Sequence, residues 1–265
     1  MHPMLNIAVR AARSAGSIIA RGFENLDDLQ IQSKGSSDYV TKIDKEAEAA
    51  IIGKIQQSYP EHSFIGEEGG NIDNNSDFTW VIDPLDGTTN FIRGIPHFAV
   101  SIALLYKGKL DQAVVFDPIR GELFTASKGA GAQLNGYRIR VSKAKDLTET
   151  VLATAFPFKD KSQFAEASSK FNAVYMQSGD VRRMGSAALD LAYVAAGRFD
   201  GYFEKGLKSW DMAAGELIVR EAGGLSTDYA GNNDPLYAEL KKPGSANGIV
   251  SGSPKVVQQL VKILK

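Results

Sequence analysis

The chain has 265 residues, 43% of them hydrophobic and 23% charged, a composition that supports a folded core and excludes a disordered or fibrous class. Thirty Lys and Arg against 31 Asp and Glu leave a net charge of -1, which argues against broad capture of nucleic acid or an anionic membrane. There is no cysteine, so disulfides, thiolate catalysis and Cys-ligated zinc or iron-sulfur centres are excluded, and three histidines leave little for zinc.

Met4, Ile7, Ala8, Ala11, Ala15, Ile18 and Ile19 recur at helical spacing with Arg10, Arg13 and Ser17 between them, which predicts an amphipathic first helix with an Ala-rich packing face. No apolar signal core opens the chain, and no stretch approaches the roughly 18 uncharged apolar residues of a membrane span. The expected location is the cytoplasm. Lys34-Gly35-Ser36-Ser37-Asp38 reads as a loop. A second helix is expected from about Asp44 to Tyr59, where Ala47, Ile51 and Ile55 share a face and Pro60 disfavours continuation. Phe64-Ile65-Gly66 is strand-like and ends in Glu67 and Glu68, two acids that alone read as a solvated strand terminus. Gly69 to Asp77, rich in Gly, Asn and Asp, is expected to be an exposed, mobile connection.

From Phe78 the pattern changes to short β-rich runs, Phe78 to Ile82, Ala99 to Tyr106, Gln112 to Phe116 and Glu122 to Ala126, which suggest a largely antiparallel sheet. Gly129 to Gly136 is glycine-rich, but Leu134 occupies the third glycine position of a dinucleotide fingerprint, and Asn135-Gly136 reads instead as a hairpin turn. Beyond about residue 150, strand-like runs (Val151 to Ala155, Gly201 to Glu204, Ile249 to Ser251) alternate with helical ones (Ser162 to Met176, Ser186 to Ala196, Trp210 to Glu221). No linker separates the halves. One domain over 1–265 is expected, with an α+β half at 1–150 and an α/β half at 151–265.

The chemistry concentrates in Trp80-Val81-Ile82-Asp83-Pro84-Leu85-Asp86-Gly87-Thr88-Thr89-Asn90, where an apolar strand runs into two acids three residues apart. Pro84 stiffens the backbone, so Asp83, Asp86 and the Leu85 carbonyl can converge on a hard cation, and an oxygen-only ligand set suits magnesium. Gly87 and Thr88 then begin a turn or helix whose backbone N-H groups can hold a phosphate. Taken alone, Asp-Pro-x-Asp-Gly is a solvated turn with a helix cap, and Asp211 at the start of the third helical run is an N-cap. His97, between Pro96 and Phe98, reads as a packing residue rather than a general acid, and His2 and His62 as surface residues.

Taken together, these segments resemble the inositol monophosphatase family of magnesium-dependent, lithium-sensitive phosphatases. Lys34 to Asp44, Gly66-Glu67-Glu68, Trp80 to Phe91, Gly185-Ser186-Ala187-Ala188, and Trp210-Asp211 followed by Glu221-Ala222-Gly223-Gly224 are similar to family blocks in family order. The opening residues and Arg182 to Asp190 look especially like a bacterial branch associated with ribosomal RNA transcription antitermination. The resemblance implies the layered αβαβα sandwich of the sugar phosphatases and hydrolysis of myo-inositol 1-phosphate with two or three Mg2+ per site. Fructose 1,6-bisphosphatase activity, 3'-phosphoadenosine phosphatase activity and a mainly regulatory protein-binding role are the alternatives.

By the same resemblance, Glu67, Asp83 and the Leu85 carbonyl hold one magnesium, and Asp83, Asp86 and Asp211 a second. Glu67 and Thr88 position the attacking water, and Asp44 partners the Thr88 hydroxyl. Leu85, Asp86, Gly87, Thr88, Arg182, Gly185, Ser186, Ala187, Glu204 and Asp211 line the substrate, with Lys34 as an accessory group. The implied partners are a small polyol phosphate, a second copy of the chain in a homodimer, and RNA polymerase or antitermination factors. No membrane contact and no autonomous nucleic-acid binding are expected.

Overall fold

The Ala-rich stripe of the first helix lets it lie close to its neighbours. The structure, a computed structural model, describes residues 2–26, 31–35, 38–157, 161–244 and 247–265, with the side chains of 31–35 and 38–40 outside the described part. Helix α1 (Pro3–Phe23) buries Leu5, Ala8, Ala12, Ala15 and Ile19 against α2 (Lys42–Gln56) and one face of a seven-stranded sheet. The exposed His2 accepts the Met4 N-H at 3.3 Å and caps α1. Strands β1 (Ile31–Gly35) and β2 (Asp38–Thr41) pair antiparallel between these helices, so the loop expected at Lys34 to Asp38 is part of a hairpin. Lys34, Gly35 and Asp38 of that stretch are strand residues, and residues 36–37 lie outside the described residues.

The seven-stranded sheet follows chain order through β3 (Ser63–Gly66), β4 (Phe78–Asp86), β5 (Ala99–Tyr106), β6 (Lys109–Asp117), β7 (Glu122–Ser127), β8 (Gly131–Leu134) and β9 (Tyr137–Arg138). Only β3 and β4 run parallel; the other neighbours are antiparallel. A short helix α3 (Thr88–Ile92) sits between β4 and β5. Asn135 and Gly136 join β8 to β9 with φ of 50° and 84°, the left-handed pair that a two-residue hairpin needs. The 69–77 connection is exposed at several positions but anchored: Ile72 and Phe64 exchange backbone hydrogen bonds, and Asn74 donates to the His62 carbonyl at 2.9 Å. His62 is buried, correcting the surface position expected from sequence. It stacks between Tyr59 and Phe78 and accepts the Trp80 indole N-H at 3.0 Å.

The second sheet collects β10 (Val151–Thr154), β11 (Asp180–Arg182), β12 (Gly201–Glu204), β13 (Leu225–Thr227) and β14 (Ile249–Gly252) in the order β11-β10-β12-β14-β13. Its helices are α4 (Phe164–Tyr175), α5 (Ala187–Ala195), α6 (Ser209–Glu221), α7 (Pro235–Lys241) and α8 (Pro254–Leu264). Helices α5 and α6 lie between the sheets: Leu189, Leu191, Leu217 and Ile218 pack in one cluster with Val81, Ala103 and Val115 of the first sheet and Tyr202 and Ile249 of the second. The outer face is covered by α4 and α8 through Val174, Val256 and Leu260. The layers read α-β-α-β-α, as the resemblance implies. Among the described residues no helix is long and apolar enough to cross a membrane.

Candidate active site

Strict alternation along β4 would send Asp83 and Asp86 to opposite faces of the sheet. The pairing with β5 prevents this. Asp83 stands opposite Ser101 and Asp86 opposite Ala99, so three steps on β4 are matched by two on β5. The extra residue is a bulge that brings Asp86 round to the face of Asp83, toward α5 and α6. Leu85 turns its side chain the other way, into the core beneath α1 and α2. Its N-H donates to Asp83 Oδ1 at 3.0 Å, and its carbonyl accepts the Thr88 hydroxyl at 3.1 Å.

Two further segments bring their acids to this point. Gly66 pairs with Ile82, and the Glu67 N-H donates to the Ile82 carbonyl at 3.2 Å, so parallel pairing delivers Glu67 beside Asp83. Asp211 is the third residue of α6 and accepts the Lys208 N-H at 2.6 Å. Helix α6 is fixed over the sheet by Ser101, the residue opposite Asp83, whose hydroxyl donates to the Trp210 carbonyl at 3.2 Å.

The electrostatics follow from this packing. Asp83 is 2% exposed, and its carboxyl is raised well above the usual range, first by burial and then by Glu67, Asp86 and Asp211. Asp86 is pushed up to about 7, again chiefly by burial, with Asp190 and Glu67 adding to the rise. Hydrogen bonds from the Ser186 hydroxyl and the Ala188 N-H, both 2.7 Å to Asp86 Oδ2, oppose it. Among the described residues no three Asp, Glu or His side chains already stand at mutual ligand spacing. The convergence is electrostatic: Glu67, Asp86 and Asp211 each raise the proton affinity of Asp83, and Glu67 raises that of Asp86. A hard divalent cation fits this set, because it favours the ionised form of oxygen donors that burial and mutual repulsion disfavour.

Beside the acids, Thr88 Oγ1 lies 3.1 Å from Asp44 Oδ1. Asp44 is itself buried at the start of α2, where its Oδ2 accepts the Thr41 N-H at 2.8 Å and the Thr41 hydroxyl at 2.5 Å in a reciprocal cap. Burial, opposed by those hydrogen bonds, raises its proton affinity. Gly87 has φ 101°, and a β-carbon there would stand 3.0 Å from the His97 carbonyl and 3.3 Å from that of Gly185, so the turn tolerates only glycine.

The second half supplies the other wall. Ser186 caps α5 and Ala187 is its first residue. Gly185 has φ 90° and packs on Asn90, whose amide donates to the carbonyls of His97 at 2.8 Å and Met184 at 2.9 Å. Glu204, at the end of β12, is pushed up to about 8, first by loss of water and then by Asp211, Asp190 and Asp86, while the Tyr202 hydroxyl donates to it. Arg182 and Arg183 are both exposed. Arg182 pairs with Asp180, while Arg183 lies close enough to Asp190 to favour its ionised form. Lys34 falls in β1, and its side chain lies outside the described part. His97 is 3% exposed, packs edge-on against Tyr193 and has Nε2 3.8 Å from Asp190. Sequence reasoning missed Asn90, Ser101 and Tyr202. Tyr202 was accessible, since it lies two residues before Glu204 and so shares its strand face.

The chain matches the family described as "Inositol monophosphatase family" over residues 1–264. It is 54% identical to the Nus factor SuhB of Vibrio cholerae over 100% of this chain and 97% of that protein. Among solved structures it is similar to the extragenic suppressor protein suhB from Bartonella henselae, with a TM-score of 0.93, 41% identity and coverage of 100% and 99% of the two chains. It is also similar to an inositol monophosphatase from Anabaena, with a TM-score of 0.81, 32% identity and coverage of 98% and 94%.

Proposed function

The chain belongs to the inositol monophosphatase family, and on that footing we propose that it hydrolyses a small polyol phosphate, myo-inositol 1-phosphate foremost, with magnesium held by Glu67, Asp83, the Leu85 carbonyl, Asp86 and Asp211. The observation that carries this reading is the convergence of four acids from three separate segments, three of them raising the proton affinity of the buried Asp83. When bound, magnesium supplies Lewis-acid stabilisation of charge on the phosphoryl and leaving oxygens.

The chain's own groups do the rest. Thr88 Oγ1 carries one proton and two near acceptors, Asp44 Oδ1 and the Leu85 carbonyl, so its lone pairs are left to take a proton from the attacking water while its own proton passes to Asp44. The raised proton affinity of Asp44 suits it to that acceptor role. Water adds to phosphorus, the bond from phosphorus to the polyol oxygen breaks, and that oxygen takes a proton from solvent while Asp44 returns its proton to solvent, giving polyol and inorganic phosphate. Gly87 and Thr88 hold the phosphate through backbone N-H groups. Gly185, Ser186, Ala187 and Glu204 face the ring hydroxyls, with Arg182 at the rim.

The test is phosphate release from inositol phosphates, fructose 1,6-bisphosphate, glycerol 2-phosphate and 3'-phosphoadenosine 5'-phosphate, with magnesium and with excess chelator. Release from inositol 1-phosphate that needs magnesium and falls with added lithium, but not sodium, is expected. Full activity in chelator would sink the reading. A second role, protein contact within transcription antitermination, is favoured by the 54% identity to a protein named a Nus factor, and a pull-down with RNA polymerase and antitermination proteins tests it.

A further inference from the structure

The turn that carries Glu67 is held from behind by a buried acid outside the ligand set. Glu48 lies on α2 with 5% exposure. Its Oε2 accepts the Glu68 N-H at 3.0 Å, and its Oε1 accepts the Gly70 N-H at 2.9 Å. The carboxylate occupies the space two side chains would need: a β-carbon on Gly66 would stand 2.4 Å from Oε2, and one on Gly70 would stand 2.7 Å from Oε1. Both glycines and both carboxylate oxygens therefore belong to one joint between α2 and the 67–70 turn.

One helical turn earlier on the same helix is Asp44, the partner of Thr88. Residues four apart share a helix face, so one rigid face of α2 reaches the turn after β3 through Glu48 and the turn after β4 through Asp44. We infer that Glu48 is a positioning residue that fixes the Glu67 turn in register with the Asp83 and Thr88 turn, and so sets the affinity of the site for magnesium. This rests on the phosphatase reading for its consequence, but not for its geometry. The role calls for a carboxylate. An amide in its place offers one acceptor oxygen and turns its NH2 toward an N-H that needs an acceptor.

The experiment compares wild type, Glu48→Gln, Glu48→Ala, Gly66→Ala and the Glu48→Ala/Gly66→Ala double variant. Glu48→Gln, the gentler change, is present in case the alanine variant fails to fold. Calorimetric titration with magnesium should show affinity falling about 10- to 100-fold in the Glu48 variants, the range typical of groups that orient metal ligands. The magnesium concentration for half-activation should rise by the same factor, while KM for inositol 1-phosphate at saturating magnesium stays within about threefold. Amide exchange at Glu68 and Gly70 should quicken in the same variants. Gly66→Ala should weaken magnesium binding in wild type but add little once Glu48 is alanine, because all three of the nearest atoms it would meet belong to Glu48. Folded Glu48 variants with unchanged magnesium affinity and unchanged exchange overturn the inference, as does a fully additive effect of Gly66→Ala. If wild type itself releases no phosphate, the phosphatase reading fails, and amide exchange with magnesium titration still decides the role of Glu48.

Discussion

Replacing Asp86 by Asn should make the metal-free protein more stable while removing its activity. Both hydrogen bonds that Asp86 receives, from the Ser186 hydroxyl and the Ala188 N-H, end on the same oxygen, Oδ2. An asparagine carbonyl can accept both, so the substitution keeps the geometry and removes only the ionisable group. The carboxyl is raised from 3.8 to about 7 in the folded chain. At about 1.4 kcal/mol per pH unit, that rise corresponds to a penalty on the order of 4 kcal/mol once the group is ionised. Asp86 is partly exposed, so solvent screening lowers the expected gain to about 2 to 4 kcal/mol. The raised value means the folded state favours the protonated form, so wild-type stability is full below about pH 4 and is lost as pH rises through about 7. The assay is thermal unfolding of both proteins in chelator from pH 4 to 8. Near pH 4 the two should coincide. At pH 8 the variant should melt roughly 5 to 15 °C higher, taking about 2 to 4 °C per kcal/mol for a chain of this size. Magnesium should then raise the wild-type midpoint and leave that of the variant nearly unmoved. A variant no more stable than wild type at pH 8 in chelator would show that the fold does not penalise the ionised Asp86 carboxylate.

Asp83→Asn should stay folded and lose turnover by on the order of a thousandfold, measured as phosphate release at saturating magnesium, because the buried carboxylate that faces the other three is gone. Tyr202→Phe removes the hydroxyl that donates to Glu204; KM for inositol 1-phosphate should rise about tenfold with kcat little changed, a loss within the range for one unpaired polar group. Arg183→Ala should weaken a pull-down with RNA polymerase and antitermination proteins while phosphate release stays within about twofold, and Asp83→Asn should do the reverse. Alanine is the cleaner probe there, since reversing the charge would also act on the nearby buried Asp190.

Legibility in the sequence tracked how far an element's identity depends on its own residues. Ala99 to Tyr106 and Gly201 to Glu204 are observed as read, because apolar and β-branched runs bounded by Gly, Pro or charge are strands wherever they pair. Strands β11 and β13 went unread: each is three residues long and is a strand only through its neighbours, β10 for one and β14 for the other. Strands β1 and β2 went unread because Lys34 to Asp38 is rich in Gly and Ser, residue types that read as loop. His62 looked polar and therefore exposed, yet Tyr59, Phe78 and Trp80 offer ring faces and an indole donor that bury it at little cost.

The site was legible in its residue types and not in the arrangement that brings them together. Spacing alone puts Asp83 and Asp86 on opposite faces of a strand, and only the pairing of β4 with β5 reveals the bulge that reunites them. The partners of Asp86 lie 100 and 102 residues away in the chain, and the carbonyl that fixes Asp211 over Asp83 is 109 residues from Ser101. Contacts of that length leave no periodicity to read. They exist because α5 and α6 are the layer shared by both sheets, so the cores that bury Leu189 and Leu217 also set where Ser186 and Asp211 meet the first half. A substitution deep in that middle layer, far from any acid, therefore moves one wall of the cleft against the other, whereas one in the outer layer of α4 and α8 does not.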